Sequence, residues 1–259
     1  MTDKKRLVIE QFPCLSDNYG FLIHDTQSGQ TAAIDTPDAA TIRKVLKQRG
    51  WHLTHIFNTH HHPDHTGGNV ALKRATDCHI IGPAGEADKI PALDEAVDEG
   101  DIVSFGATQA RVLNVGGHTL GHIAYYFAEE KIAFVGDTLF ALGCGRLFEG
   151  TPAQMWESLQ KIAALPPDTI LYCAHEYTQA NARFAIKIEP DNVALQKRCR
   201  AIDKARAANQ PTVPMQLADE LATNPFLRAD QKSIRQRLAM TDANPVDIFA
   251  EIRHRKDNM

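Results

Sequence analysis

The 259-residue sequence has no uninterrupted apolar stretch long enough to cross a membrane. Its first residues, 1–6, are charged and lead directly into the strand-like run 7–9, without the apolar core and small-residue cleavage site of a signal peptide. The sequence therefore gives no reason to expect a secreted or membrane protein, and we expect a cytoplasmic one.

The sequence also has little net charge, −4 at pH 7 with an isoelectric point near 6.3. Nucleic acids and anionic membranes attract proteins through strongly basic surfaces, so we expect neither as a partner. Hydrophobic residues make up 43% of the chain, which is enough to bury a substantial core in one large domain or two modest ones. These features are typical of a soluble globular protein.

Cysteines are few, odd in number and widely scattered, at positions 14, 78, 144, 173 and 199. That pattern is typical of a reducing compartment rather than of a disulfide framework. Cys144 and Cys173 lie within motifs described below. Burial as small apolar residues is the favoured role for both, and neither is expected to be a nucleophile.

Histidine, in contrast, is concentrated in one stretch, where residues 59–69 read THHHPDHTGGN. The preceding residues 54–58 include β-branched and aromatic side chains and predict a buried strand. Residues 70–75 have the composition and spacing of a helix, with Thr66 or Asn69 as its N-cap. The ligand-type side chains therefore lie between a strand and a helix, where α/β proteins present functional sites.

The spacing within this stretch predicts where its side chains point. Alternate residues of extended backbone point the same way, so His60 and His62 can reach one point while His61 faces elsewhere. Asp64 and His65 then turn towards a second point. Imidazole and carboxylate without thiolate suit zinc, iron or manganese, and a bridging carboxylate would allow two ions. An internal tag, a surface cluster and a single structural zinc site are the alternatives.

Three more candidate ligands, His118, Asp137 and His175, each follow a run of residues typical of a strand. A single histidine or aspartate at such a place commonly serves as a cap or turn residue. Three in series behind the histidine-rich loop indicate a shared metal site instead.

The remaining pattern is that of an α/β protein. Strands are predicted at residues 7–12, 19–24, 31–35, 78–81, 102–105, 109–115, 122–127, 131–135 and 170–173, and helices at 37–49 and from 152 up to 166. Polar turns such as 128–130 predict hairpins between most of the later strands. Gly50 is expected to end the first helix, and Thr151 to cap the second, with Pro152 at its first position.

From about residue 178 only helices are predicted, at 180–187, 192–208, 217–223, 231–239 and 246–255. They predict a smaller helical domain after the α/β domain. In the last helix, which Asn244 is expected to cap, Arg253 and Lys256 lie three residues apart on one face. An exposed basic tail is the alternative interpretation of that pair.

Together these motifs resemble a known family. Residues 60–65 have the H-x-H-x-D-H pattern of the metallo-β-lactamase superfamily, and within it the whole chain resembles glyoxalase II, the hydroxyacylglutathione hydrolase family. The resemblance runs through residues 13–19, 117–119, 136–140, 143–146, 173–178 and 224–226 to the basic residues at the C-terminus. It implies the α/β class, with a four-layer αββα sandwich as catalytic domain over residues 1–177 and a smaller helical substrate-binding domain over residues 178–259.

The resemblance implies a role for each candidate ligand. Seven residues are implied as metal ligands, namely His60, His62 and His118 for one ion, Asp64, His65 and His175 for the other, and Asp137 as the bridge. Asp64 and Asp137 are also expected to position a bridging hydroxide. Two divalent ions are therefore expected, zinc first, with iron or manganese as alternatives. His122 is expected to support the site, and His61 to face outward.

The resemblance also implies contacts to glutathione. Arg253 and Lys256 match a basic pair that binds its glycine carboxylate. Tyr177 matches a tyrosine that hydrogen-bonds the same ligand, and Arg146 matches another basic contact. Where well-known eukaryotic members have a tyrosine two residues after that basic position, this chain has Phe148. One hydroxyl contact is then missing, worth about 1 kcal/mol of binding free energy, unless the residue serves only for packing.

The implied activity is hydrolysis of the thioester S-D-lactoylglutathione to glutathione and D-lactate, the second step of methylglyoxal detoxification. A hydroxide shared by the two ions attacks the thioester carbonyl, and a thiolate whose conjugate acid has a pKa of about 8.5 leaves without a strong general acid. Glutathione and its lactoyl thioester are the expected partners, with no nucleic acid or membrane. The chain is expected to be a monomer.

Other activities of the same superfamily are alternatives. A β-lactamase often uses a cysteine ligand and has no use for the C-terminal helices. A nuclease would need basic surface stretches, which a net charge of −4 does not favour. The nearest competitor is a glutathione persulfide dioxygenase, which binds one iron through positions matching His60, His118 and Asp137. The helical C-terminal domain favours the hydrolase.

Overall fold

The computed structural model describes residues 6–259, so the charged sequence before Arg6 lies outside the described residues. The chain divides into two compact units. Unit 1 takes the chain up to Asn114 together with Leu120–Gly136, and unit 2 contains Val115–Thr119 and Asp137–Met259. Within residues 6–259, no helix is long and apolar enough to cross a membrane.

Unit 1 begins with a six-stranded sheet. Its strands are β1 (Leu7–Cys14), β2 (Asn18–Asp25), β3 (Thr31–Ile34), β4 (His55–Phe57), β5 (His79–Pro83) and β6 (Glu95–Val97). The first three pair antiparallel, whereas β3, β4, β5 and β6 pair parallel. Parallel neighbours need crossover connections, and these connections carry the helices of unit 1.

The crossovers contain α1 (Ala39–Arg49), α2 (Pro63–Thr66), α3 (Asn69–Thr76) and a 3₁₀ helix at Ala84–Lys89. Asp38 caps α1 by accepting hydrogen bonds from the backbone N–H groups of Ala40 and Thr41. Gly50 ends α1 with a φ of 68°, a left-handed conformation that glycine adopts easily, so the predicted end of this helix is confirmed.

The predicted cap of α3 is wrong. Its N-cap is Gly68, which makes no side-chain hydrogen bond, so neither Thr66 nor Asn69 has that role. Asn69 is instead fully buried, where its Oδ1 accepts from Thr36 Oγ1 at 2.6 Å and its Nδ2 donates to Asn58 Oδ1 at 2.7 Å. The side chain of Asn69, which the local sequence pattern predicted to cap the helix, therefore takes part in a buried hydrogen-bond network with distant residues instead.

The later part of unit 1 is a series of antiparallel hairpins. Strands β7 (Ile102–Phe105), β8 (Thr108–Asn114), β9 (Ile123–Phe127) and β10 (Ile132–Gly136) pair in chain order, which confirms the predicted hairpins. Aromatic rings join them to the first sheet: Phe57 of β4 lies 5.3 Å from Tyr125 and 5.7 Å from Phe105, measured between ring centres. The first sheet therefore packs against these strands through a buried aromatic layer.

The first sheet also has a helical side. Side chains of α1, including Ile42 and Leu46, share a buried cluster with Leu72 of α3 and with Leu22 and Ile56 of the sheet. Unit 1 is thus layered as helix, sheet, sheet. The ends of its strands carry the loops described below.

Unit 2 is mainly helical. Its helices are α4 (Pro152–Ala163), α5 (Thr178–Ile188), α6 (Val193–Ala207), α7 (Leu217–Thr223), α8 (Lys232–Arg237) and α9 (Pro245–Asp257), and its strands are β11 (Leu139–Phe140), β12 (Gly143–Cys144), β13 (Ile170–Cys173) and β14 (Met215–Gln216). β11 pairs with β12, and β13 with β14, both antiparallel. The predicted caps are confirmed, since Thr151 forms a capping box with Gln154 and Asn244 accepts from Asp247 N.

Most predicted elements are confirmed with small shifts at their ends, but the short ones are missing from the prediction. These are α2, β6, β11, β12, β14 and the 3₁₀ helix. They contain between two and six residues each, which is too few to show periodicity. β14 also corrects the expectation that only helices follow residue 178. The division into domains at residue 177 stays a prediction.

Candidate metal centre and substrate site

The first four candidate ligands lie in unit 1, in the loop after β4 and in α2. His60 Nε2 and His62 Nδ1 are 3.1 Å apart, and the ring centres of His60 and His65 are 4.0 Å apart. His65 Nε2 lies 3.5 Å from Asp64 Oδ2. Pro63 starts α2 directly after the extended loop, so the backbone turns and brings these side chains together.

Asp35, directly after β3, supports this set. Its Oδ1 accepts from Thr59 N at 2.8 Å, and its Oδ2 lies 2.8 Å from both Thr59 Oγ1 and His65 Nδ1. A carboxylate at Nδ1 holds the proton there and leaves Nε2 of His65 as the ligand atom. Asp35 is absent from the sequence-based prediction, although its place after a strand is the same signal that singled out His118.

Glu86, in the 3₁₀ helix, supports the neighbouring histidine. Its Oε2 accepts from His61 N at 2.8 Å and lies 2.9 Å from His61 Nδ1, while its Oε1 accepts from Gly121 N at 3.0 Å. The side chain of His61 is only 17% exposed, so the expectation that it faces outward is wrong. His122 stacks on His60 with ring centres 4.5 Å apart, and thus packs against a candidate ligand.

The other three candidate ligands belong to unit 2 and converge on one carboxylate. Nε2 of His118 and Nε2 of His175 each lie 3.4 Å from Oδ2 of Asp137, and all three side chains are buried. His118 Nδ1 lies 2.9 Å from the carbonyl oxygen of Arg146. A carbonyl only accepts, so Nδ1 carries the proton and Nε2 is left as the ligand atom.

The spacing around Asp137 fits metal ions. Two ligand atoms that each lie about 2.1 Å from a tetrahedral ion are about 3.4 Å apart. The distances from Asp137 Oδ2 to His118 Nε2 and to His175 Nε2 are both 3.4 Å, which is the separation expected of ligand atoms on a common ion. The donors are nitrogen and oxygen without sulfur, which suits zinc, iron or manganese. The residues therefore fit the ions that their pattern predicts.

Two aromatic rings adjoin His175. The ring of Tyr177 is stacked on it, with centres 4.7 Å and planes 3° apart. Phe140 meets both rings with its edge, at 6.0 Å from His175 and 5.3 Å from Tyr177. Tyr177 is 38% exposed, so part of this residue faces solvent beside a candidate ligand.

The first cation of α9 is buried. Arg253 is only 5% exposed, which excludes the interpretation of α9 as an exposed basic tail. Its Nη1 donates to Cys144 O at 3.0 Å, its Nη2 donates to Asp257 Oδ1 at 2.7 Å, and its guanidinium lies 5.1 Å from the centre of the Phe226 ring. Arg146 is exposed, with Nε 4.0 Å from the same oxygen of Asp257.

Lys256 lies beside this group. Its Nζ donates to Ala180 O at 3.2 Å and lies 5.4 Å from the centre of the Phe184 ring. Burial, followed by the nearby charges of Arg253 and Arg146, lowers the pKa of the Lys256 ammonium to about 8. The positive charges of Lys256, Arg253 and Arg146 repel one another, and burial strengthens this repulsion because water screens the charges less. An anion that binds beside them reduces the repulsion, so this part of unit 2 suits the carboxylate of a ligand.

Phe148 is an exposed aromatic residue beside a candidate ligand. The residue is 61% exposed, and its ring meets the ring of His118 edge to face, with centres 5.2 Å apart. The side chain therefore packs against a candidate metal ligand and also faces solvent, where a tyrosine at this position would present its hydroxyl.

Comparison with known proteins assigns the chain to a family. A model of the metallo-beta-lactamase superfamily matches residues 29–175, and a model described as hydroxyacylglutathione hydrolase C-terminus matches residues 176–259. A protein named hydroxyacylglutathione hydrolase from Maricaulis maris (strain MCS10) is 55% identical over 252 residues, 97% of this chain and 98% of that protein. One of the same name from Hyphomonas neptunium (strain ATCC 15444) is 57% identical over 250 residues, 96% of this chain and 97% of that protein. The chain belongs to the hydroxyacylglutathione hydrolase family.

Solved structures show the fold of this hydroxyacylglutathione hydrolase family member. ETHE1 from Myxococcus xanthus matches with a TM-score of 0.67 at 23% identity, over 95% of this chain and 96% of that one. A metallo-beta-lactamase from Staphylococcus aureus subsp. aureus COL also gives 0.67, at 20% identity, over 97% of this chain and 72% of that one. The predicted α/β class, an αββα metallo-β-lactamase sandwich with a C-terminal helical region, is confirmed.

Superfamily membership indicates a binuclear metal site in this hydroxyacylglutathione hydrolase family member. The histidine and aspartate side chains that could hold the ions form two sets, namely His60, His62, Asp64 and His65 in unit 1 and His118, Asp137 and His175 in unit 2. Each set contains a histidine whose Nδ1 is held by an oxygen of the protein, at Asp35 for His65 and at the carbonyl of Arg146 for His118. Such partners orient the ring so that Nε2 faces an ion. The donors alone do not distinguish zinc from iron or manganese.

The cysteines of this hydroxyacylglutathione hydrolase family member are all free thiols. Cys14, Cys78, Cys144 and Cys173 are buried, and Cys199 is partly buried. Burial raises the pKa of the thiol to about 12 for Cys14, about 11 for Cys144 and about 12 for Cys173. The expectation that Cys144 and Cys173 are buried residues is confirmed.

Proposed function

We propose that this chain hydrolyses the thioester S-D-lactoylglutathione to glutathione and D-lactate, the second step of methylglyoxal detoxification. One observation carries the proposal, namely 55% identity over 97% of the chain with a protein named hydroxyacylglutathione hydrolase. The region that matches the family's C-terminal model, residues 176–259, contains Tyr177 and the cations of α9. The chain is therefore a metal-dependent thioester hydrolase.

The proposal includes an assignment of the metal ligands. The seven ligands are His60, His62 and His118 for one ion, Asp64, His65 and His175 for the other, and Asp137 as the bridge. The spacing of His118 and His175 about Asp137 Oδ2 supports the bridge, and the closeness of His60 to His62 supports a shared ion. Zinc is the ion that we propose, with iron and manganese as the alternatives to test.

When bound, the two ions lower the pKa of a water molecule towards neutrality and polarise the thioester carbonyl. The side chains of this protein place the reactants. Asp64 and Asp137 position the attacking water, and Asp35 keeps His65 in the tautomer that leaves Nε2 available. The thiol of the leaving group has a pKa of about 8.5, so it departs as a thiolate without a general acid.

Unit 2 binds the glutathione part of the substrate in this proposal. Lys256 and Arg146 attract the glycine carboxylate, and Tyr177 offers its hydroxyl. Arg253 adds its charge from a buried position, since both its Nη atoms already donate to neighbouring groups. A buried charge is poorly screened by water and acts on the carboxylate more strongly than an exposed one.

Loss of the thioester absorbance of S-D-lactoylglutathione tests the proposal. The assay uses the full-length chain as purified, after metal removal, and after adding back zinc, iron or manganese separately. Hydrolysis that stops on chelation and returns with metal supports the function and ranks the ions. No hydrolysis by fully metallated protein would reject it, and oxygen uptake with glutathione persulfide would then indicate the dioxygenase.

We further propose that the chain acts in the cytoplasm as a monomer, without a nucleic-acid or membrane partner. The net charge of −4 supports the proposed absence of a nucleic-acid or membrane partner, because a negatively charged protein is not attracted to phosphate-rich surfaces. Light scattering tests the oligomeric state directly, since a monomer has a mass of 28.7 kDa.

A further inference from the structure

The hairpin of β11 and β12, which joins Asp137 to Arg146, is held by side chains of the helical region. Each residue from 140 to 144 has a backbone group bonded in this way, as follows: Asn224 Nδ2 donates to Phe140 O (3.1 Å) and Gly143 O (3.0 Å), Asn181 Nδ2 to Ala141 O (3.1 Å), Arg253 Nη1 to Cys144 O (3.0 Å), and Glu220 Oε2 accepts from Leu142 N (2.9 Å). Strands of two residues have few bonds of their own, so these side chains fix the hairpin in place.

Asn224 makes the largest contribution. It is fully buried, and the two hydrogens of its Nδ2 are shared among three acceptors, namely the carbonyls of Phe140 and Gly143 and, at 3.0 Å, Glu220 Oε2. Its Oδ1 accepts from Phe226 N at 3.0 Å, which closes the turn after α7. An alanine at this position would leave two buried carbonyl oxygens of the hairpin without their donor.

The hairpin in turn contacts the candidate site. The ring of Phe140 meets His175 at 6.0 Å and Tyr177 at 5.3 Å. Just beyond the hairpin, the carbonyl oxygen of Arg146 accepts from His118 Nδ1 at 2.9 Å. A displaced hairpin would therefore reorient two candidate metal ligands and one candidate substrate contact.

The same turn also supports α9. The ring of Phe226, two residues after Asn224, lies 5.1 Å from the guanidinium of Arg253 and 6.0 Å from the ring of Phe249. The sequence Asn224-Pro225-Phe226 thus contacts both the hairpin and the buried cation of α9.

We infer that Asn224 is a positioning residue for the reaction. Through the hairpin it orients His118, His175 and Tyr177. The kinetic part of this inference rests on the proposed function, whereas the metal-binding part stands without it. The helical region accordingly has a second role beside substrate binding, which is to hold candidate metal ligands in unit 2.

Asn224→Ala in the full-length chain tests the inference by two measurements. The first is the dissociation constant for Zn²⁺ in competition with a chromophoric chelator, without substrate. We expect zinc binding to weaken on the order of tenfold, as when a supporting partner of a metal ligand is lost. The second is hydrolysis of S-D-lactoylglutathione at saturating zinc, where we expect KM to rise by a larger factor than kcat falls.

Asn192→Ala is the matched control. Asn192 Nδ2 donates to Glu189 Oε2 and Ala222 O, both at 3.0 Å, and its Oδ1 accepts from Leu195 N at 3.0 Å. These are the same kinds of bond in the same helical region, but the partners lie outside the hairpin. We expect this variant to lose thermal stability and to keep the zinc affinity and KM of the unchanged protein.

Two results would overturn the inference. One is Asn224→Ala with unchanged zinc affinity and KM, and the other is equal changes in both variants, which would mean a purely structural role. If Asn224→Ala does not fold, the same two measurements are made on Asn181→Ala, which removes one hydrogen bond to the hairpin. We expect smaller changes of zinc affinity and KM in that variant, and unchanged values would overturn the inference. If the unchanged protein does not hydrolyse the thioester, the proposed function fails, but zinc affinity still decides for Asn224.

Discussion

The two sets of candidate ligands are built in opposite ways. In unit 1, four ligands fall within the six residues from His60 to His65, and two carboxylates, Asp35 and Glu86, bond to that stretch. In unit 2, His118, Asp137 and His175 come from distant parts of the chain. Their support is a backbone carbonyl and a hairpin that side chains of helices hold in place.

This difference indicates which substitutions should disturb each set of ligands. The set of unit 1 depends on a few buried acids, so its weak points are easy to name. The set of unit 2 depends on residues such as Asn224, which have no metal-binding chemistry of their own and also serve the substrate side. Changes to the supporting residues of unit 1 should therefore affect metal binding alone, and changes to those of unit 2 should affect the binding of metal and of substrate together.

Removing one ligand from each set gives the largest expected effect. His62→Ala and Asp137→Ala should each abolish hydrolysis, because the site loses metal and with it the activated water. Zinc content per chain is measured beside the thioester assay. His79→Ala, which changes an exposed histidine of β5, is the control and should keep both. Full activity and zinc content in either ligand variant would exclude that residue from the site.

Asp35→Ala probes the support within unit 1. His65 Nδ1 and Thr59 lose their acceptor, so the affinity for Zn²⁺ should fall by about 10- to 100-fold, with KM at saturating zinc little changed. Chelator competition measures the affinity. Asp38→Ala, which removes the cap of α1 at a cost of about 1 kcal/mol of stability, is the control. Equal zinc affinities in the two variants would show that Asp35 does not orient a ligand.

Arg253→Ala probes the substrate side of unit 2. We expect KM for S-D-lactoylglutathione to rise about tenfold with a smaller fall in kcat, because the glycine carboxylate loses the attraction of a nearby buried charge. Steady-state kinetics at saturating zinc measures both. Arg255→Ala, which removes an exposed arginine paired with Glu251 on the same helix, should leave KM unchanged. An unchanged KM in Arg253→Ala would mean that α9 does not bind glutathione as proposed.

The pH dependence of KM should show the smallest effect. The pKa of Lys256 is lowered from 10.5 to about 8, so its side chain is charged below that pH and neutral above it. A neutral amine attracts a carboxylate less, and KM should therefore rise severalfold between about pH 7 and pH 9.5. Lys256→Arg keeps its charge over this range and should remove the rise. Identical pH profiles for the two proteins would contradict this role.

The candidate ligands of unit 1 can be predicted from the sequence more completely than those of unit 2. The loop of unit 1 could be found from spacing alone, because alternation along extended backbone already brings His60 towards His62. His118, Asp137 and His175 could be singled out only by their place after strands. Their convergence is a tertiary fact, set by how the strands and the hairpin lie in the folded chain.

The residues that support the ligands could not be predicted from the sequence, for a related reason. Asp35, Glu86 and Asn224 are ordinary residue types whose partners are far away along the chain, and β11 and β12 are too short for a periodic signal. Helical spacing correctly placed Arg253 and Lys256 on one face. It could not show that Arg253 is buried, because the covering groups come from other elements.

The burial of the thiols matters for a protein whose proposed product is itself a thiol. In S-glutathionylation, an accessible cysteine thiolate attacks glutathione disulfide, forms a mixed disulfide with one glutathione and releases the other as a thiolate. Here four cysteines are buried, and the pKa of the remaining one, Cys199, is also raised by burial. S-glutathionylation of this chain should accordingly be slow, so that catalysis can continue under oxidative stress, when thiol-dependent enzymes are inactivated.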